Sequence, residues 1–202
     1  MVVVVVLDVE TSGVKVTEHD LIALGYVIYD SELQQTVCAN RISFKPRNGE
    51  NYVFEARCWE EFWLRESNQE LLRKFRTEAR EIVDGLQKFV ADLKHHTGTK
   101  DFMIVNDNSA FDVAFVQFYL ETYLQEPFHL HYHPNIEQRY IPILDTDSLQ
   151  VGFQGKKLTG ELWGSNAKTF EMKGITPVHR HTHDPLDDAQ CILEVLLAIT
   201  KP

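Results

Sequence analysis

The chain begins with five consecutive valines, Val2 to Val6, followed by Leu7, Asp8, Val9 and Glu10. A run of β-branched residues loses side-chain freedom in a helix and packs well on a pleated surface, so it reads as a strand. Both parities are apolar, so both faces of that strand need cover. The run therefore belongs at the centre of a sheet with a layer on each side. It is far too short to cross a bilayer, which takes about 20 apolar residues. A strand period of two places Asp8 and Glu10 on one face, with Val4 and Val6 behind them and Val9 on the other. Two like charges at the end of a core strand are costly unless a cation compensates them. The alternative is that the strand ends earlier, and that Thr11-Ser-Gly13 turns both acids into solvent.

Downstream, residues 20–30 and 35–45 read as two further strands that form an antiparallel meander with the first. Ser67 and Glu70 have capping-box spacing. The stripe Leu71, Leu72, Phe75, Ala79, Ile82, Leu86, Phe89, Val90 and Leu93 then predicts one helix ending near Thr97-Gly98. A short strand over 102–106, a helix over 111–125, a strand over 141–144 and a last helix over 185–199 complete the pattern. Strands followed by helices after an opening meander indicate an α/β or α+β sandwich; the α/β class is expected, a central mixed β-sheet flanked by helices. There is no repeat and no dividing linker, and 202 residues fit a single domain, 1–202.

Two more acids stand on inward stripes. Asp112 shares a helical face with Phe115, Val116 and Tyr119, and Asp188 shares one with Cys191, Ile192, Val195 and Ile199. A first-turn acid also complements the helix dipole, by about 0.3–1 kcal/mol. Four inward carboxylates on three elements, however, suit two hard divalent cations, Mg²⁺ or Mn²⁺, placed to stabilise the attacking and leaving oxygens of a phosphoryl displacement. In His183-Asp-Pro-Leu-Asp-Asp188, Asp184 and Pro185 read as cap and first helical residue. This leaves His183 on a loop beside the acids, able to accept a proton. Asp187 competes with Asp188 on spacing alone. His179 and His181 read as solvated loop residues. His129, His131 and His133 alternate as zinc ligands can, but with no cysteine or acid pair nearby.

Charge sets limits on partners. Twenty Lys and Arg against thirty Asp and Glu give −10. That excludes a broad basic face for duplex nucleic acid, but not a nucleic-acid substrate drawn to bound cations. Cys38, Cys58 and Cys191 form no paired framework, so the cytoplasm or another reducing compartment is expected. No basic segment precedes a secretory core, and neither a leader nor a membrane role is expected.

Three segments carry a family resemblance. Leu-Asp-Val-Glu-Thr-Ser-Gly (7–13) resembles the first exonuclease motif of the DEDD superfamily. Asn108-Ser-Ala-Phe-Asp112 is similar to the second. His183-Asp-Pro-Leu-Asp-Asp188 resembles the third, in the DEDDh subclass that carries a histidine before the last aspartate. Asp20 to Val27 is similar to the family's second strand, so the resemblance spans nearly the whole chain. It implies a ribonuclease-H-like fold and 3′-to-5′ hydrolysis of single-stranded DNA or RNA from the 3′ end, releasing nucleoside 5′-monophosphates. By the same resemblance Asp8, Glu10, Asp112 and Asp188 would hold two metal ions, and His183 would be the general base. Thr11 and Asn108 match positions near the terminal nucleotide. Relatives include proofreading subunits, RNase T, oligoribonuclease and TREX-type nucleases, which leaves polymerase association or a homodimer open. Asp107 departs from the pattern, where many relatives carry histidine or another small polar residue. The aromatic stretch 46–66, with Trp59, Phe62 and Trp63, is longer than in compact members and serves either core packing or base stacking. Residues 150–168, with Lys156 and Lys157, read as a loop for substrate phosphates or simply for solvent.

Overall fold

The computed structural model describes residues 2–125, 130, 141–156 and 164–200. Among these, five strands form one mixed sheet in the order β3-β2-β1-β4-β5. They are β1 (Val2–Thr11), β2 (Leu21–Asp30), β3 (Gln35–Ser43), β4 (Asp101–Asn106) and β5 (Ile143–Asp145). The β1, β2 and β3 meander is antiparallel, whereas β4 runs parallel to β1 and β5 parallel to β4. The valine run thus lies at the centre of the sheet.

Its two faces meet different layers. Val3, Val5, Leu7 and Val9 pack with Tyr26 and Ile28 against Leu86 and Phe89 of α3 (Ile82–Thr97) and Phe115 and Tyr119 of α4 (Ser109–Tyr123). Val4 and Val6 pack with Val27 and Val105 against Ala189, Ile192 and Leu196 of α7 (Pro185–Thr200). Each buried aliphatic side chain contributes about 1.5–3 kcal/mol, which is why an all-valine strand is stable only here. A third cluster joins Ile22 and Ala23 to Tyr52, Trp63, Leu72 and Phe75. It is built from the short α1 (Ala56–Cys58), the π-helical turn Trp59–Trp63 that continues it, and α2 (Glu66–Glu78). The helices α5 (Thr146–Phe153) and α6 (Asn166–Lys173) flank the end of α7. No described helix is long and apolar enough to cross a membrane.

Two expectations are corrected. The stripe from Leu71 to Leu93 is not one helix: α2 and α3 are separated at Ala79–Glu81. There the Arg80 backbone N–H donates to Ser43 O and its carbonyl accepts from Lys45 N, both at 2.9 Å, extending the β3 ladder. Tertiary backbone pairing overrides a periodicity that runs unbroken through the gap. The capping box is also absent: α2 begins at Glu66, and the Ser67 hydroxyl donates to Asn68 Oδ1 at 3.1 Å. The helix end at Thr97 holds, and Gly98 adopts φ 56° there, with its N–H on Lys94 O at 3.1 Å.

Candidate active site

The pairing of β1 with β4 ends at Val6–Val105, while its pairing with β2 continues past Glu10. From Asp8 onward, therefore, no strand among the described residues lies against one edge of β1. Asp112, from the first turn of α4, fills part of that gap. Its carboxylate accepts from Asn106 Nδ2 at 3.1 Å and Asn108 N at 3.4 Å, and from the Val9 backbone N–H. Asp8 and Glu10 point to the α7 side, as the strand period requires. Gly25 lies opposite Asp8 in register. A Cβ there would come within 2.0 Å of Pro185 O, so the first turn of α7 rests directly on the backbone of β2. That close approach brings Asp188 over the two β1 acids.

The loop ahead of α7 is organised around two carboxylates. Asp184 caps the helix: its Oδ1 accepts from Leu186 N at 3.2 Å, and its carbonyl accepts from Asp188 N at 3.0 Å. Its Oδ2 is held by Arg41 and Lys74. Asp188 folds back onto the loop, accepting from Thr182 N at 2.7 Å and His183 N at 3.0 Å. His183 has φ 65°, a left-handed conformation that costs a non-glycine residue about 1–3 kcal/mol. The hydrogen bond to Asp188 holds it there.

Asp8, Glu10 and Asp188 each present a carboxylate oxygen within 4.8 Å of the others. Burial pushes the Asp8 carboxyl well above the usual range, and Asp112, Glu10, Asp188 and Asp107 push it further. Burial raises Glu10 in the same way, with Asp188, Asp112 and Asp184 adding to it. Burial also lifts Asp112 to about 7 and Asp188 to about 6, the latter held down in part by His181 and two backbone N–H groups. The largest charge effects on Asp8 and Glu10 come from other carboxylates. Such a cluster suits an oxygen-preferring divalent cation, whose charge would remove the repulsion.

His183 lies beside these acids, with Nδ1 at 3.9 Å from Glu10 Oε1. Its ring packs edge-on to Phe62 at 4.8 Å and to His181 at 4.4 Å. Burial lowers its pKa, and the neighbouring His181 and Arg65 lower it further. His181 is an exposed loop residue, as expected, but its Nδ1 also stands 3.1 Å from Asp188 Oδ2. His179 departs from expectation, since its Nδ1 contacts Glu194 Oε1 at 2.5 Å. Neither histidine carried a periodic or capping signal, so their loop placement alone gave no partner.

Thr11 is buried, and its hydroxyl donates to Gly13 O at 2.9 Å. Asn108 is exposed at the N-cap of α4, next to Asp112. Trp63 is fully buried, with Nε1 donating to Thr11 O at 3.0 Å, and Trp59 packs on Phe54 at 4.8 Å. The aromatic stretch is therefore largely core, and Phe62 alone of the three aromatics reaches His183. The reading of 150–168 as one loop is corrected by α5 and α6 at its two ends. Lys157, His129, His131 and His133 lie outside the described residues. Asn106, which orients Asp112, was missed, although it is the last residue of a strand predicted to end there. Asp107, which accepts from Thr146 Oγ1, was noted only as a departure from the family pattern.

No family profile and no curated protein sequence matches the chain. Solved structures do. E. coli exonuclease I in complex with a dT13 oligonucleotide matches with a TM-score of 0.65 at 14% identity, over 98% of this chain and 41% of that one. A second structure of exonuclease I matches with a TM-score of 0.68 at 14% identity, with the same coverage. Cell-death related nuclease 4 matches with a TM-score of 0.60 at 18% identity, over 96% of this chain and 62% of that one. The chain thus spans about two fifths of exonuclease I, and the likeness establishes the ribonuclease-H-like fold.

Proposed function

We propose that the chain is a single 3′-to-5′ exonuclease domain, 1–202, of the DEDDh type. The observation that carries this reading is the meeting of Asp8, Glu10 and Asp188 oxygens within 4.8 Å, from opposite ends of the sequence, with other carboxylates as the main charges acting on the two β1 acids. The fold likeness to two nucleases supports it, and the oligonucleotide in the exonuclease I complex favours a single strand as substrate.

Asp8, Glu10, Asp112 and Asp188 would hold two Mg²⁺ or Mn²⁺ ions. When bound, the ions supply Lewis-acid stabilisation of the attacking and leaving oxygens. His183 accepts the proton of the attacking water. Its depressed pKa keeps the imidazole neutral, and therefore basic, near pH 7. Asn108, exposed beside Asp112, and Thr11, at the turn after β1, are assigned to the terminal nucleotide. The strand must enter from the edge of β1 that β4 leaves uncovered, which favours an unpaired 3′ end.

The test is hydrolysis of end-labelled single- and double-stranded DNA and RNA with Mg²⁺ or Mn²⁺. The expected result is stepwise release of 5′-monophosphates that stops with chelator and with a 3′-phosphate block. Equal digestion of circular and linear strands would show an endonuclease instead. Comparing DNA with RNA settles the sugar preference.

A further inference from the structure

The carboxylates account for only part of the chemistry gathered at the start of α7. His181, His183 and Asp188 also bring one donor atom each within 4.8 Å of one another. This second set shares Asp188 with the first but is otherwise made of imidazole nitrogen. We propose that these three residues form a second, overlapping site for a nitrogen-preferring transition ion, Zn²⁺, whose occupation switches hydrolysis off. The inference rests on the catalytic reading of His183 given above.

Donor type separates the two sites. Mg²⁺ prefers oxygen and retains its waters, whereas imidazole suits zinc and its neighbours in the first transition row. Zinc with ligands at about 2.0–2.2 Å in a tetrahedron sets its donors about 3.4 Å apart. His181 Nδ1 and Asp188 Oδ2 already stand at 3.1 Å. His183 brings its own nitrogen within 4.8 Å of both, and its side chain is a third exposed.

The shared carboxylate is oriented in advance. Thr182 N and His183 N donate to its two oxygens at 2.7 and 3.0 Å, so the residue between the two histidines ties the loop to its own ligand. Such outer hydrogen bonds are what fix first-sphere ligands in metal sites. Three protein ligands leave a fourth position on the solvent side, where the His181 side chain is 56% exposed. Zinc bound there takes the imidazole lone pair that His183 needs as a base, and it competes with Mg²⁺ for Asp188.

The site can be read without substrate. Co²⁺ added to the Mg²⁺-saturated protein should give the visible ligand-field bands of a four-coordinate ion with nitrogen ligands. His181→Ala should abolish those bands, whereas Glu10→Gln, outside the trio, should keep them. In parallel, Zn²⁺ is titrated into the Mg²⁺-supported reaction of wild type and His181→Ala, each normalised to its own rate without zinc. Half-inhibition in His181→Ala should need at least about 10-fold more Zn²⁺, the lower end of what losing even an outer-sphere partner costs a metal site. Equal zinc sensitivity of wild type and His181→Ala would overturn the proposal, as would Co²⁺ bands that survive His181→Ala or disappear with Glu10→Gln. If the protein shows no Mg²⁺-dependent hydrolysis at all, the exonuclease reading fails, and the Co²⁺ spectra still decide the site.

Discussion

Buried acids occur in this protein in two settings. Asp20 is almost fully enclosed, yet every direction around it holds a donor: Arg47 N at 3.0 Å, Arg47 Nε at 3.3 Å and Val53 N at 2.8 Å. Asp184 is similar, with Arg41, Lys74 and the first turn of α7 around it. Glu10, Asp112 and Asp188 are buried and Asp8 is half-buried, and no Lys or Arg pairs with them among the described residues; amide, backbone and histidine groups are their neighbours, and Asp8 and Glu10 are repelled by the other acids. The first group is complete as folded and ties loops to the sheet. The second has no Lys or Arg beside it among the described residues. The contrast shows that burial of a carboxylate does not by itself mark a functional site; burial without a compensating charge does.

The strongest challenge to this contrast is removal of an uncompensated acid. Asp8→Ala or Asp188→Ala should reduce hydrolysis at least about 10³-fold, since metal stabilisation of transition-state charge is worth several kcal/mol. The melting temperature without metal should stay level or rise, because repulsion falls. Near-normal turnover in either variant would remove the metal site from the account.

His183→Ala should lower kcat by about 10²–10⁴-fold, the usual contribution of a placed acid–base group. The rate of the unaltered protein should rise with pH along a limb centred at or below about 6.5, the ordinary histidine value, because burial, and after it His181 and Arg65, depress this one. In the variant that limb should flatten.

Asp20→Ala tests the other group. It removes the counter-ion of the largely enclosed Arg47 guanidinium, which keeps only the Val16, Thr17 and His19 carbonyls, and should cost up to about 3–5 kcal/mol of stability by chemical denaturation. The fraction that remains folded should hydrolyse at the normal rate. A loss of activity per folded molecule would blur the two settings into one.

The smallest effect is in pH-dependent stability. Carboxyls with folded pKa values raised to about 6 and 7 hold protons that the unfolded chain has released above about 4. Stability without metal should therefore fall as pH rises from about 4 to 7. Mg²⁺ should restore it, by about 2.7 kcal/mol at a hundredfold excess over its Kd, with more effect at pH 7.5 than at 5. Scanning calorimetry at the two pH values, with and without Mg²⁺, checks both signs.

The central strand, its meander and the inward direction of Asp8 and Glu10 were all legible in the sequence, because two-residue alternation is a local property. The last helix was legible for a similar reason, with Asp184-Pro185 marking its start and an apolar stripe its face. What failed depended on distant backbone. The break at Arg80 is made by hydrogen bonds to β3, and nothing within the stripe from Leu71 to Leu93 reports them. Asp20 and Asp184 carry no local sign that Arg47, or Arg41 and Lys74, will close over them. The contact of His181 with Asp188 arises from a loop that folds back on its own helix, a geometry that spacing alone does not encode.

The bare backbone at Gly25 has a consequence for how activity reports on the folded state. The β1 acids belong to the sheet, which is held from both sides, but Asp188 reaches them only while the start of α7 lies flat on Gly25. Partial detachment of that helix end would leave the sheet intact by circular dichroism and extinguish turnover. A side chain at position 25 would act as a shim of fixed thickness. Gly25→Ala should therefore inactivate the protein at temperatures well below its global melting point, and protease cleavage near Thr182 should track that loss.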